Sequence, residues 1–158
     1  MRGDDLDRVI ALGDAVHLVY PEEPKVARER FDLFPAGCFV LAEENDVAGY
    51  VLSHPWIFGD APRLNSLLGQ LPAAADIFYL HDIVVAPRVR AGRHGGDGVN
   101  AVKAIARQSG FTRVGLVAVN NSNRFWRANG FSRVVVPGLD EKLLSYDKAA
   151  RYMICQLN

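Results

Sequence analysis

Apolar residues recur at helical spacing at the start of the chain. Val9, Ile10, Leu12, Val16 and Leu18-Val19 predict an amphipathic helix over residues 6–20. Pro21-Glu22-Glu23-Pro24 breaks it, and a short second helix is expected over residues 25–31, stopping before Pro35-Ala36-Gly37. The pattern then changes to compact apolar runs. Cys38-Phe39-Val40-Leu41-Ala42 and residues 47–53, separated by Glu43-Glu44-Asn45-Asp46, predict a β-hairpin that ends at His54-Pro55-Trp56. Residues 57–76 are irregular, although Leu64, Leu67, Leu68 and Leu71 fit one or two helical turns. Residues 78–86 make the strongest strand, and Pro87 stops it. After a basic, glycine-rich stretch, Val99, Ala101, Val102, Ile105 and Ala106 share a helical face that Ser109-Gly110 closes. Residues 114–119 read as a strand, 124–129 as a short helix capped by Gly130, and 131–136 and 152–157 as two final strands. The order predicts one mixed α/β domain over residues 1–158.

Composition narrows the function classes. The 158 residues are 49% hydrophobic and 23% charged, which suits one folded domain with a real core. Lys+Arg and Asp+Glu are 18 each, so the basic excess expected of a nucleic-acid binder is missing, while a local pocket for one small anion remains open. No long uncharged apolar run predicts a transmembrane helix, and the charged start Met1-Arg2-Gly3-Asp4-Asp5 does not read as a signal peptide. Cys38 and Cys155 lie far apart among apolar neighbours and read as buried thiols. A cytoplasmic protein without a metal site is the resulting expectation.

The basic stretch carries the first chemistry. Arg88, Arg90 and Arg93 are interleaved with Gly92, His94, Gly95, Gly96, Asp97 and Gly98, between a strand and a helix. Glycines let backbone amides approach an anion, and a helix start adds free N–H groups and a positive dipole end. The Gly-Lys-Ser/Thr ending of a Walker loop is missing, and the loop lies past mid-chain rather than after a first strand as a dinucleotide fold requires.

In order, Leu80-His81-Asp82-Ile83-Val84-Val85-Ala86-Pro87, the Arg/Gly loop, its helix, Leu116-Val117-Ala118-Val119-Asn120-Asn121 and Phe125-Trp126-Arg127-Ala128-Asn129-Gly130-Phe131 resemble the GNAT family of acyl-CoA N-acyltransferases. The resemblance covers most of the chain and includes the hairpin. It implies an α/β (α+β) fold with a mixed, mostly antiparallel central sheet, flanked by helices, whose central strands splay apart. It implies acetyl-CoA as co-substrate, an amine acceptor that is a small molecule or a protein, no nucleic-acid or membrane partner, and a homodimer as one option. By the same resemblance, backbone groups of Ile83, Val84 and Val85 pair with the pantetheine chain. The amides of Arg90, Gly92, Arg93, His94, Gly95, Gly96, Asp97 and Gly98 hold the pyrophosphate. Asn120 or Asn121 bonds the pantetheine or the acyl chain's amide, with a cap for the next helix at Asn121 or Ser122 as the other reading, and Phe125 and Trp126 contact the CoA or the core. Two registers of the loop stay open. One counts Arg90-Ala91-Gly92-Arg93-His94-Gly95 from Pro87. The other counts Arg93-His94-Gly95-Gly96-Asp97-Gly98 back from the helix and sets Asp97 beside the diphosphate.

Acetyl transfer needs a proton acceptor for the amine, a donor for the thioester oxygen and a proton or stabiliser for the leaving thiolate. His81 and Asp82 are the base candidates, and strand alternation predicts that only one of them faces the acyl site. Trp126 stands where the family places a tyrosine acid, and an indole N–H is a donor but no acid. Tyr152 and Tyr146 are the candidate substitutes. Glu22 and Glu23, near Tyr20, suit a cationic amine or simple solvation. Three readings follow: an active N-acetyltransferase, a non-catalytic acyl-CoA sensor, and a nucleotide-binding module unrelated to CoA.

Overall fold

The computed structural model describes residues 1–43, 46–144 and 147–158. Its elements, in order, are α1 (Leu6–Val16), α2 (Pro24–Leu33), β1 (Cys38–Glu43), β2 (Asp46–Trp56), β3 (Ile77–Val85), α3 (His94–Gln108), β4 (Arg113–Ala118), α4 (Asn123–Ala128), β5 (Ser132–Arg133), α5 (Leu139–Leu144) and β6 (Arg151–Gln156). The strands form one six-stranded sheet in the order β1-β2-β3-β4-β6-β5, antiparallel except for the β3–β4 pair. This is the mixed, mostly antiparallel sheet flanked by helices that the family resemblance implies.

The parallel contact between β3 and β4 consists of Phe78 opposite Val114 and Tyr79 opposite Gly115. Both strands run on past this point, β3 to Val85 and β4 to Ala118, without pairing to each other. The centre of the sheet therefore splays, and one side of β3 from Leu80 onward presents backbone groups that no strand takes up.

β3 changes phase at His81. Leu52 of β2 pairs with Asp82 and Ser53 with Leu80, so one residue of β3 is extra. Before it, Phe78 and Leu80 pack with α3, through Val99, Val102 and Ala106, while Tyr79 packs on the opposite face. After it, Ile83 packs on the α3 side and Val84 joins Val9 and Leu52 on the side of α1 and α2. The third cluster joins Tyr79, Ala61, Leu139, Leu143 and Tyr152.

Several elements differ from expectation. α1 stops at Val16, leaving Leu18 81% and Val19 70% exposed. β2 continues through Pro55, because β1 pairs with β2 only as far as Leu52 and beyond it β2 is an edge, where a missing N–H is tolerated. Residues 57–76 contain turns and no helix; Asp76 fastens them to β2 and β4, and Ser66, Leu68 and Gly69 bond to Arg30 and Glu29 of α2. α3 opens at His94, inside the glycine stretch. The strand expected over 131–136 is reduced to Ser132–Arg133, and α5 was not expected. Glu44 and Asn45 of the hairpin turn lie outside the described residues.

Candidate active site

The splay is bordered by a cavity on each face of the sheet. The larger, about 770 Å³, lies between β3 and α4 and is lined by Ile83, Val85, Arg90, Gly92, Arg93, Gly95, Gly96, Phe125, Trp126, Ala128 and Asn129. Residues far apart in sequence meet here because Gly95 lets α3 approach α4. An added Cβ at Gly95 would lie 3.3 Å from the Phe125 ring. Gly98 does the same toward the sheet, where a Cβ would lie 2.9 Å from Ile83 Cδ1 and 3.3 Å from Val51 Cγ2. The first amides of α3, beginning at His94, have no i→i−4 acceptor and open beside Arg90 and Arg93. Arg90 Nε also donates to Val85 O at 3.1 Å.

Not every residue expected at a cofactor lies in this groove. His94, Asp97, Gly98 and Val84 line a different cavity of about 250 Å³ against β1 and β2, with His94 Nδ1 3.8 Å from Asp97 Oδ2. Asp97 is thus turned away from the larger groove, and α3 already begins six residues after Arg88, at His94. Arg88 reaches back to Glu43 and Asp46 at 2.9 and 3.0 Å. Asn120 and Asn121 are exposed, with φ of 54° and 55°, a left-handed pair that asparagine tolerates better than most residues. They make the turn between β4 and α4, and Ser122, one of the two expected cap residues, holds the cap position.

Trp126 is 7% exposed and packs edge-on to Phe125 and Phe131. Its Nε1–H donates to Ser122 Oγ at 3.0 Å, and Ser122 donates to Val119 O at 2.6 Å. The indole donor is therefore committed inside α4. Tyr152 corrects an expectation: it is fully buried, its hydroxyl accepts the Gly59 N–H at 3.3 Å, and burial pushes its pKa up, so it stands in the core and lines neither cavity. Tyr146 lies outside the described residues. Cys38 is buried, with its thiol pushed up to about 11 by desolvation.

The smaller cavity, about 110 Å³, opens on the other face and is lined by His17, Tyr20, Glu22, Pro62, Arg63, Leu64, Tyr79, His81, Asp82, Val117 and Val119. The phase change of β3 brings His81 and Asp82 into it together, where simple alternation predicts one of them. Each is paired. His81 Nε2 lies 3.0 Å from Glu22 Oε2. His17 Nε2 lies 3.0 Å from both oxygens of Asp82, and Tyr50 donates its hydroxyl to Asp82 Oδ2 at 2.5 Å. Burial alone would raise the Glu22 carboxyl. The hydrogen bond and charge of His81, helped by Asn65 and Arg30, outweigh it and hold the group below the usual range. The Asp82 hydrogen bond raises His17 against the opposing effect of burial. Burial and the Asp82 charge keep Tyr50 protonated far above its ordinary value. Behind His81 sits His54, fully buried at 6.1 Å between ring centroids, and burial together with the His81 charge pushes it down to about 3.

His17 and Tyr50 escaped sequence reading. His17 ends an apolar stripe, Tyr50 sits in an ordinary strand, and only the fold brings them to Asp82. Among the described residues no group of three His, Cys, Asp or Glu is placed to hold a metal ion, and no helix is long and apolar enough to cross a membrane.

A splayed mixed sheet with a glycine-rich helix start at the split defines an acyltransferase-type fold. The profile of the acetyltransferase (GNAT) family matches residues 10–131, and the chain belongs to that family. Among solved structures, it is similar to Ard1 from Thermoplasma volcanium, with a TM-score of 0.75 and 14% identity over 100% of this chain and 95% of that one. It is similar to GphF, a GNAT-like decarboxylase in complex with isobutyryl-CoA, at 0.76 and 20% identity over 100% and 97%. It is also similar to the loading GNATL domain of CurA from Lyngbya majuscula, at 0.76 and 15% over 96% and 92%. No curated protein sequence matches the chain.

Proposed function

We propose that this chain is a single-domain, cytoplasmic N-acyltransferase that moves an acetyl group from acetyl-CoA to a primary amine by direct attack on the thioester. The observation that carries the reading is the two-residue β3–β4 contact, after which the strands part with a cavity on each face. Acyl-CoA supplies an activated carbonyl and a thiolate leaving group. The residues present fit such a donor: the unpaired side of Leu80 to Val85 offers backbone partners to pantetheine, and the α3 amides with Arg90 and Arg93 offer a cradle to the diphosphate. Phe125 and Trp126 wall the groove on the far side.

The acceptor amine belongs in the smaller cavity. There the histidine–carboxylate pairs on β3 hold the groups able to take its proton, and Tyr79, Val117, Val119 and Leu64 exclude water from the attacking nitrogen. α4 offers no acid, since Trp126 donates only to Ser122. That commitment favours a second reading, a non-catalytic acyl-CoA sensor.

One experiment separates them. Purified protein is titrated with acetyl-CoA, CoA and ATP in a thermal-shift assay. It is then mixed with acetyl-, propionyl-, isobutyryl- or malonyl-CoA and a panel of amines, with thiol release and product masses recorded. An acyltransferase is stabilised by acetyl-CoA and CoA but not by ATP, and yields an N-acylated amine. Stabilisation without product across the panel supports the sensor, and ATP as the sole stabiliser overturns both. Arg93→Glu is expected to weaken CoA binding about tenfold, the scale of one lost charge-assisted contact.

A further inference from the structure

The geometry points to His17 as the group that takes the proton from the acceptor amine, with Asp82 and Tyr50 as positioning residues behind it. This rests on the N-acyltransferase reading.

A carboxylate only accepts hydrogen bonds. The His17 nitrogen that faces both oxygens of Asp82, Nε2, therefore carries the hydrogen, and in the neutral ring the lone pair lies on Nδ1. Nδ1 makes no hydrogen bond among the described residues, and the ring lines the acceptor cavity with its side chain 27% exposed. The two other groups on the bulge are less open. Asp82 already accepts from His17 and Tyr50, and His81 is 9% exposed with Nε2 committed to Glu22. Tyr50, Asp82 and His17 thus form a relay of orientation: the phenol fixes the carboxylate, and the carboxylate fixes the ring's tautomer and direction.

The step balances. The amine nitrogen's N–H bond breaks and its proton bonds to Nδ1. The nitrogen lone pair forms the C–N bond at the thioester carbonyl carbon. The C–S bond breaks with its electrons on the CoA sulfur. The imidazolium then returns its proton to solvent or to that thiolate. Charges facing His17 from other elements are Glu22 and His81 across the cavity, Arg63 at its rim, and Asp14 and Glu23 on the α1–α2 side. Glu22 favours the imidazolium, as Asp82 does.

The test uses the full chain, acetyl-CoA and propylamine as probe acceptor. His17→Gln is expected to lower kcat about 10²- to 10³-fold, within the usual range for a lost general base. It should keep its thermal stabilisation by CoA, and imidazole should restore part of the rate in His17→Gly. Asp82→Asn should move the acid limb of kcat/KM to lower pH, and Tyr50→Phe should move it to higher pH, because a carboxylate without its phenol donor holds the imidazolium more tightly. NMR titration of the histidine Cε1–H signals, with His17 assigned through His17→Gln, should show the same two opposite shifts without any turnover. An active His17→Gln with an unchanged pH profile overturns the assignment, as does a His17 midpoint that Asp82→Asn leaves in place. Failure of the acyltransferase reading looks different: the wild-type protein itself is then silent with every donor and amine.

Discussion

His81 and Asp82 are adjacent in the chain and yet face the same cavity, because the extra residue in β3 opposite Leu52 and Ser53 resets the strand's alternation. The bulge concentrates two histidine–carboxylate pairs at the point where β3 leaves β4, a position where bulges commonly re-aim side chains.

Glu22→Gln tests the pair that His81 makes. The Glu22 carboxyl is held below its ordinary value by His81 against the cost of burial. Its interaction therefore stabilises the fold fully above about pH 4.3, the ordinary glutamate value, and is lost as pH falls through the lower folded value. Urea denaturation at stepped pH should show wild type more stable than Glu22→Gln above that value, with the gap closing on acidification. A gap that is constant with pH contradicts the assignment.

His54 gives a pH dependence of the same direction in a higher window. It is fully buried, with Nδ1 at 2.9 Å from Pro55 O and no partner for Nε2, and its pKa is pushed from 6.5 down to about 3. Between those values the unfolded chain binds a proton that the fold does not. Stability should fall as pH drops below 6.5, with a slope approaching about 1.4 kcal/mol per pH unit. His17 acts in the opposite sense above 6.5: its raised pKa means that the Asp82 interaction is complete below 6.5 and weakens as pH rises through the folded value. Stability should therefore peak near neutral pH, and His54→Phe should flatten the acid side of the peak while leaving the alkaline side unchanged. Equal slopes for wild type and His54→Phe between pH 5 and 6.5 contradict this.

Much of this architecture was legible in the chain. The apolar run from Phe78 to Ala86, the hairpin of Val40 and Tyr50, and the Val99/Val102/Ala106 stripe all declare their elements by periodicity. The start of α3 did not, because His94-Gly95-Gly96-Asp97-Gly98 has a low intrinsic helix preference. Tertiary packing decides it: Gly98 sits against Ile83 and Val51, and Gly95 against Phe125, where larger residues would hold the helix away. The site proposed for the acceptor was half visible. His81 and Asp82 stand out on a strand, but their common orientation depends on register against β2, and local sequence does not encode that. His17 reaches Asp82 across 65 residues, so no spacing rule finds the pair. α5 was missed because Leu139, Leu143 and Leu144 make too short a stripe to distinguish from a loop.

Ser122→Ala tests why a tryptophan occupies α4. Ser122 passes a hydrogen bond from Trp126 Nε1 on to Val119 O, tying the helix to the end of β4. Alanine leaves the largely buried indole N–H without its partner, at a cost of about 1–2 kcal/mol. Thermal melting should fall accordingly, while CoA affinity changes little, since the ring stays packed between Phe125 and Phe131. An unchanged melting temperature means that the Ser122 link contributes nothing to the fold.

Asn65 ties the irregular segment over the smaller cavity to the loop entering α2. Its N–H donates to Glu22 Oε1 at 2.8 Å, and its side-chain oxygen accepts the Glu23 N–H at 2.7 Å. Its φ of 53° is a conformation that alanine adopts with strain and glycine without. The backbone bond to Glu22 survives substitution, whereas the side-chain bond does not. Asn65→Gly removes that bond and the long Nδ2–H contact to Glu23 Oε1 at 3.5 Å without adding strain, and Asn65→Ala removes both and adds strain of about 1 kcal/mol. Pro62, Arg63 and Leu64 roof the cavity next to this tie, so both variants should raise KM for the amine several-fold while leaving kcat and CoA affinity near wild type. Asn65→Ala should also be the more easily cleaved within residues 57–76 by limited proteolysis. If KM stays fixed in both variants while the segment becomes cleavable, the segment covers the cavity without shaping what enters it.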